Sequence, residues 1–331
     1  MLKKLAVYLM LSSLLAACGG AAQSGVTQTV TTQPLVHVKL PMGYIPNIQF
    51  APFYVAVERG YFKDAGIEVE FDYSLETDGV ALVGANNVQF GIASGDQVLL
   101  ARSKGLPIVY VMAWYQKYPV SVISLSDLNI HAPQDLKGQK IGLPGLFGAS
   151  YIGLLALLHS VGLQESDVSL DSIGFNQIGA FTAGKDQIIV GYADNEPVVL
   201  TAKGYPLNEL RVADYVELAS NGIITNEKTI QDNPALVRGF VGAVMHGIQD
   251  TIDDPDAAYT ITEKYVDNLS KADVTTQKKI LGTSIELWRA PVPGYSNPAA
   301  WQNMQKTLLD MKLYPSALDL TKAFSNDFLP K

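Results

Sequence analysis

The sequence predicts an α/β protein of two lobes joined by two crossings of the chain, and three observations carry that prediction. The chain has 331 residues, and at roughly 150 residues per domain that is room for two domains. Apolar segments of period two are interleaved with segments of helical period, the pattern of βαβ units and parallel sheet. The pattern restarts near residue 121, and from Ile223 onward the chain reads mainly as helices without a sheet of their own. Those helices must bury their apolar faces against an existing layer, so they are expected to return to the first lobe.

Composition narrows the possibilities. Hydrophobic residues are 48% and charged residues 17% of the chain, enough for a buried core and unlike a disordered protein. The 32 acidic and 24 basic side chains give a formal charge of −8, which argues against a nucleic-acid binder with a basic stripe. A single cysteine, Cys18, rules out an internal disulfide and a cysteine-rich zinc site.

The first element is a leader. Lys3 and Lys4 precede the apolar run Leu5–Leu15, which at 11 residues is too short for a permanent span and suits a secretory signal. Leu15-Ala16-Ala17-Cys18 resembles the bacterial lipobox, in which the cysteine is acylated and becomes the new N-terminus. Residues 1–17 are thus expected to be a lipoprotein signal peptide and residues 18–34 a lipid-anchored tether, uncharged and rich in Gly, Ala, Gln, Ser and Thr. Cleavage removes Lys3 and Lys4 and no acid, leaving 22 basic against 32 acidic groups, a formal −10. The expected location is extracytoplasmic, at the membrane, held there by lipid on Cys18.

The body follows in order. Residues 35–40 alternate as a strand, 53–59 form a helix ended by Gly60, and 67–71 alternate again. Residues 79–85 suit a helix with Asp78 as its N-cap. Strand 88–93, helix 97–103 and strand 108–113 complete the first run. In the second run, 122–125 is a strand, 133–138 a turn with a short helix, and 139–143 a strand. The Gly-rich loop 145–150 leads into helix 151–161, and strand 188–192 and helix 197–203 follow. Helices are expected at 234–252, 255–267, 275–288 and 298–311. Lobe 1 then comprises 35–122 and 220–331, and lobe 2 comprises 123–219, with crossings near 115–123 and 217–224.

Catalytic and metal motifs are scarce. His37, His131, His159 and His246 lack metal-ligand spacing, and no G-x-S-x-G elbow, H-E-x-x-H helix or Walker lysine occurs. Gly145-x-x-Gly148 before a helix is a weak anion-site signal. No metal, cofactor or enzymatic activity is expected.

Aromatics and amides instead cluster in the segments after strands, where α/β sheets bind ligands. From the first lobe these are Tyr44, Asn47, Gln49, Asp78, Ser94, Asp96, Trp114, Tyr115 and Tyr118. From the second they are Phe147, Ser150, Tyr192, Asn195 and Glu196. Aromatic faces stack on a flat ring, while amides, hydroxyls and carboxylates read its edge. Asp78 and Asp96 would serve equally well as helix caps, and Trp114 and Tyr118 as hinge packing. None of the five arginines lies in these segments, which favours a neutral ligand over a phosphate or sulfonate.

Residues 43–69, from Gly43-Tyr-Ile-Pro-Asn47 through Gly66-Ile-Glu-Val69, resemble the opening of the NMT1/THI5-like solute-binding proteins. Residues 88–96, 101–109 and Val190-Gly-Tyr-Ala-Asp-Asn-Glu196 continue the likeness. The resemblance implies a type II periplasmic-binding fold, a small-molecule ligand held between the lobes, an ABC permease as partner, and a monomer. It also implies that Glu196 touches the ligand. Tyr44-Ile-Pro-Asn47 and Trp114-Tyr115-Gln-Lys-Tyr118 most resemble the riboflavin-binding members, so riboflavin is the expected cargo. A thiamin pyrimidine precursor is the alternative, and a sulfonate or nitrate-like anion a weaker one. The family also contains a pyrimidine synthase with a Cys-rich motif, which this chain lacks.

Overall fold

A computed structural model describes residues 34–330. The expected signal peptide, Cys18 and the tether up to residue 33 lie outside the described residues. The chain order opens with β1 (Val36–Gly43), α1 (Ala51–Glu58), α2 (Tyr61–Asp64), β2 (Ile67–Leu75), α3 (Glu76–Gly84), β3 (Gly91–Ala93), α4 (Gly95–Ser103) and β4 (Ile108–Ala113). It continues with β5 (Val120–Leu125), β6 (Lys140–Leu143), α5 (Gly148–Ser160), β7 (Ser169–Ser172), α6 (Gln177–Thr182), β8 (Ile188–Tyr192), α7 (Glu196–Ala202) and β9 (Leu207–Arg211). It closes with β10 (Gly222–Asn226), α8 (Glu227–Asp232), α9 (Pro234–Asp253), α10 (Pro255–Thr262), α11 (Val274–Trp288) and α12 (Pro298–Asp310). Among the described residues, no helix is long and apolar enough to cross a membrane.

The strands divide into two bodies. β1 and β2 pair in parallel, with Val36 opposite Ile67. Beside them stands a three-stranded sheet in the order β3-β10-β4. The second body is a five-stranded sheet in the order β7-β6-β8-β5-β9. Its β6 runs parallel to β7 and β8, whereas β5 runs antiparallel to β8 and β9. β5 follows directly on the crossing from β4, and it enters its sheet against the direction of its neighbours.

The closing helices obey the same physics that made them legible. On α9, Leu236, Val237, Phe240, Val241, Val244 and Ile248 share one buried stripe. Phe240 stacks on Phe90 at 4.0 Å between ring centres, fastening the helix to the first body. Asn233, Asp254, Asp273 and Asn297 each accept a first-turn backbone N–H, at the starts of α9 to α12. A cap of this type is worth about 1 kcal/mol.

Several boundaries differ from expectation. β10 falls inside the stretch read as mainly helical and is the central strand of its sheet, antiparallel to both neighbours. Five residues buried throughout carry no alternation to betray a strand. β7 and β9 were not expected, and each is an edge strand with polar residues, Ser169-Leu-Asp-Ser172 and Leu207-Asn-Glu-Leu-Arg211. α3 begins at Glu76, so Asp78 is an exposed first-turn residue and not the N-cap. α5 begins at Gly148 and absorbs the end of the Gly-rich loop.

Candidate functional site

Between the two bodies lies a cleft open to solvent, a concave place of the kind where small-molecule sites form. The ends of β1, β2 and β4 supply one wall. The loops after β6, β7 and β8 supply the other, so both walls are built at carboxyl ends of strands, as expected for this architecture. Nine of the expected residues line it: Tyr44, Gln49, Trp114, Tyr115, Phe147, Ser150, Tyr192, Asn195 and Glu196.

Five expected residues do not, and four of them have another task. Asn47 accepts the backbone N–H of Gln49 at 3.0 Å and caps a short 3₁₀ turn. Asp78 points to solvent on α3. Ser94 is fully buried and donates its backbone N–H and hydroxyl to Glu76 Oε1, at 2.5 and 2.7 Å. Asp96 is fully buried and accepts from Gln97 Nε2 at 2.7 Å. Tyr118 is buried near the crossing and donates its hydroxyl to the Ala149 carbonyl at 2.9 Å. A residue in a loop after a strand can turn to either side of it, and only packing decides which.

The lining also holds residues that sequence reasoning missed, among them Phe50, Glu76, Phe175, Gln177 and Asn221. Glu76 immediately follows β2, two positions before the expected Asp78. Phe175 and Gln177 follow the unexpected β7, and Asn221 precedes the unexpected β10. Finding those strands would have found these side chains.

Aromatic geometry divides into floor and mouth. Trp114 stacks on Phe50 at 5.6 Å and meets Phe53 edge-on at 5.1 Å. Its indole is therefore committed to the core as well as facing the cleft, and hinge packing and lining are both true of it. At the mouth, Tyr44 after β1 meets Phe175 after β7 edge-to-face at 4.9 Å, a contact that joins the two walls. Phe147 and Phe175 stay exposed there, at 43% and 38%, unlike the buried floor.

Three acids shape the electrostatics. Asp194 sits at the start of the turn into α7 and is fully buried. It accepts from Gln49 Nε2 at 2.8 Å, from the Tyr115 hydroxyl at 2.8 Å and from the Ser284 hydroxyl at 2.6 Å. Burial lifts its pKa while those three donors oppose the lift. Glu196 opens α7 and folds back so that Oε2 accepts the Tyr192 N–H at 2.8 Å. A side chain at Gly191 would have to push the Glu196 carboxyl aside, since its Cβ would come within 2.7 Å of that oxygen. Burial pushes Glu196 up to about 7. Glu76 is pushed to about 7 as well, by burial and then by the Asp96 carboxylate behind it. Among the lining residues there is no Lys, Arg or His. The cleft thus offers ring faces, amides and two carboxyls poised near neutrality, a set suited to a flat neutral ligand with N–H or O–H donors on its edge.

Comparison with known proteins agrees with this geometry. Residues 47–258 match the family model "NMT1/THI5 like". The riboflavin-binding protein RibY of Chloroflexus aurantiacus is 37% identical, over 99% of this chain and 98% of its own length. A formylaminopyrimidine-binding protein of Halalkalibacterium halodurans is 27% identical over 69% of this chain and 70% of its own. Other relatives carry the name 4-amino-5-hydroxymethyl-2-methylpyrimidine phosphate synthase. Among solved structures, the alkanesulfonate-binding protein SsuA of Xanthomonas axonopodis pv. citri, bound to MOPS, superposes with a TM-score of 0.69 at 15% identity, covering 88% of this chain and 99% of that one. The fold is the type II periplasmic-binding fold, and the chain belongs to the NMT1/THI5-like family.

Proposed function

We propose that this chain is the extracytoplasmic binding component of an ABC importer and that its cargo is riboflavin. The observation that carries the reading is the cation-free cleft, with aromatic rings and two carboxyls on facing walls. The full-length likeness to a riboflavin-binding protein supports it. Tyr192, Tyr44 and Phe147 would cover the ring system, and each stacked aromatic pair adds about 0.5–1.5 kcal/mol beyond area burial. Gln49, Gln177, Asn195, Asn221 and Glu196 would bond the ring edge and the ribityl hydroxyls.

Lobe 1 (35–122 and 220–331) and lobe 2 (123–219) would open and close about the two crossings. Opening breaks the Tyr44–Phe175 contact, and closure over ligand restores it. Such closure needs a ligand that binds the closed form more tightly than the open one. The closed form would dock on the permease. Acylation of Cys18 would hold the protein at the membrane, working as a monomer. The role is binding without turnover, since the synthases of the resembled family carry a Cys-rich motif and this chain has no cysteine beyond Cys18.

Titration of the full chain in detergent with riboflavin, followed by quenching of flavin fluorescence, tests the reading. Saturable one-to-one quenching supports it. No quenching, with thermal stabilisation by a formylaminopyrimidine, would transfer the assignment to the pyrimidine-precursor carriers, the reading that the formylaminopyrimidine-binding relative favours. Chemical change of either ligand would reopen the enzymatic reading.

A further inference from the structure

Glu76 is absent from the loop positions that mark the cleft in the sequence, yet its carboxyl is the most constrained on the first-lobe wall. Oε1 is committed to Ser94, through a backbone N–H at 2.5 Å and a hydroxyl at 2.7 Å. Oε2 projects across the cleft toward α5, where a Cβ on Gly148 would come within 3.3 Å of it. Gly148 is at φ +69°, a conformation that side chains other than glycine rarely adopt. It opens a 13-residue helix, whose unpaired N–H groups and dipole make this end attractive to anions. An oxygen of the protein therefore stands beside the first residue of α5. Behind it, Asp96 is fully buried, with Oδ1 lacking a hydrogen-bond partner. No Lys, Arg or His lines the cleft to offset these acids.

We propose that Glu76 is the specificity residue of the cleft, a built-in anion at the start of α5 that excludes phosphorylated forms of the ligand while accepting a hydrogen bond from the neutral form. The proposal rests on the flavin reading above and narrows it to riboflavin over riboflavin 5′-phosphate. A phosphate arriving at α5 would meet a carboxylate instead of free N–H groups, with like charges in a partly desolvated space. A hydroxyl or imide N–H would find an acceptor whose other oxygen is already held in place. Asp96 acts as a positioning residue, since its charge keeps the carboxyl turned toward Ser94 and the cleft.

The test compares the wild type and Glu76→Gln, each with riboflavin and riboflavin 5′-phosphate, by fluorescence quenching of the full chain in detergent. At about pH 8 a carboxyl of ordinary or moderately raised pKa is ionised and the phosphate is a dianion. The amide keeps an acceptor for Ser94 but turns an N–H₂ group toward α5. The wild type is expected to prefer riboflavin by about 100-fold. In the variant riboflavin should bind about tenfold more weakly, and the phosphate should gain, so that the preference collapses. A purely structural role for Glu76 would lower both affinities together, and an unchanged preference in a folded variant overturns the proposal. Should thermal melting show that Glu76→Gln does not fold, Glu76→Ala reads the same ratio, because it removes the charge and leaves no polar group facing α5. In that variant a narrowed preference supports the proposal and an unchanged one overturns it. A wild type that binds no flavin fails the underlying reading, which is a different outcome from one that binds both flavins equally.

Discussion

Asp194 and Glu196 are two residues apart in the same turn, both acids, both buried, and they serve opposite ends. Asp194 faces away from the cleft, where Gln49, Tyr115 and Ser284 saturate its two oxygens. Those three donors come from the first body and its closing helices, so the carboxylate ties the two bodies together beside the crossing. Glu196 faces the cleft, with one firm bond to the Tyr192 N–H and a long one, 3.4 Å, from Asn195. The lesson is that burial alone does not tell which acid is left open to a ligand. The number of protein donors already spent on the carboxyl does.

The largest expected effect comes from breaking the saturated member. Asp194→Ala removes the buried acceptor shared by three donors and should cost about 3–5 kcal/mol in urea unfolding. Glu196→Gln should leave unfolding nearly unchanged yet weaken riboflavin by about 10- to 100-fold, the worth of a hydrogen bond to a charged group. Equal effects of the two substitutions on stability would erase the comparison.

The pH dependence sharpens it. Glu76 and Glu196 are both pushed up to about 7 by burial. Between pH 4.5 and 7 the unfolded chain has released these protons while the folded one retains them, so their contribution to stability falls as pH rises through that window and levels off above it. The melting temperature of the ligand-free protein should drop by several degrees over this range, and the drop should shrink in Glu76→Gln and Glu196→Gln. A melting temperature flat from pH 5 to 8 in the wild type would contradict the protonation argument.

Tyr192→Ala is expected to weaken riboflavin by about 2- to 10-fold through lost stacking, and undiminished affinity would remove that ring from the site. The smallest effect on binding should come from Asn47→Ala. It loses a turn cap worth about 1 kcal/mol and should leave the flavin dissociation constant where it was.

Much of the architecture was legible because it rests on local pattern. The amphipathic stripe of α9, the alternation of β1 and the glycine stops after α1 and α4 follow from the chain's own periods. Strand ends pointed to the cleft, and nine expected residues line it. The failures share one cause. Asn47, Ser94, Asp96 and Tyr118 have the right chemistry in the right loops, but each turns toward a partner that the linear order does not reveal. β10 escaped because a strand buried on both faces has no alternation, and with it went Asn221.

The amino-acid sequence by itself determined the α/β class, the family, the ring-and-amide chemistry of the strand-end loops and the absence of arginine from them. These depend on periodicity and composition along the chain and, for the family, on the likeness of its motifs to those of relatives. Only the tertiary structure decided which acids face the cleft and which face protein. Asp194 becomes a tie and Glu76 a wall of the cleft through contacts 145 and 18 residues away in sequence, with Gln49 and Ser94 respectively. A carboxyl's role depends on which donors reach it and how much water remains around it, and those are properties of the packed fold.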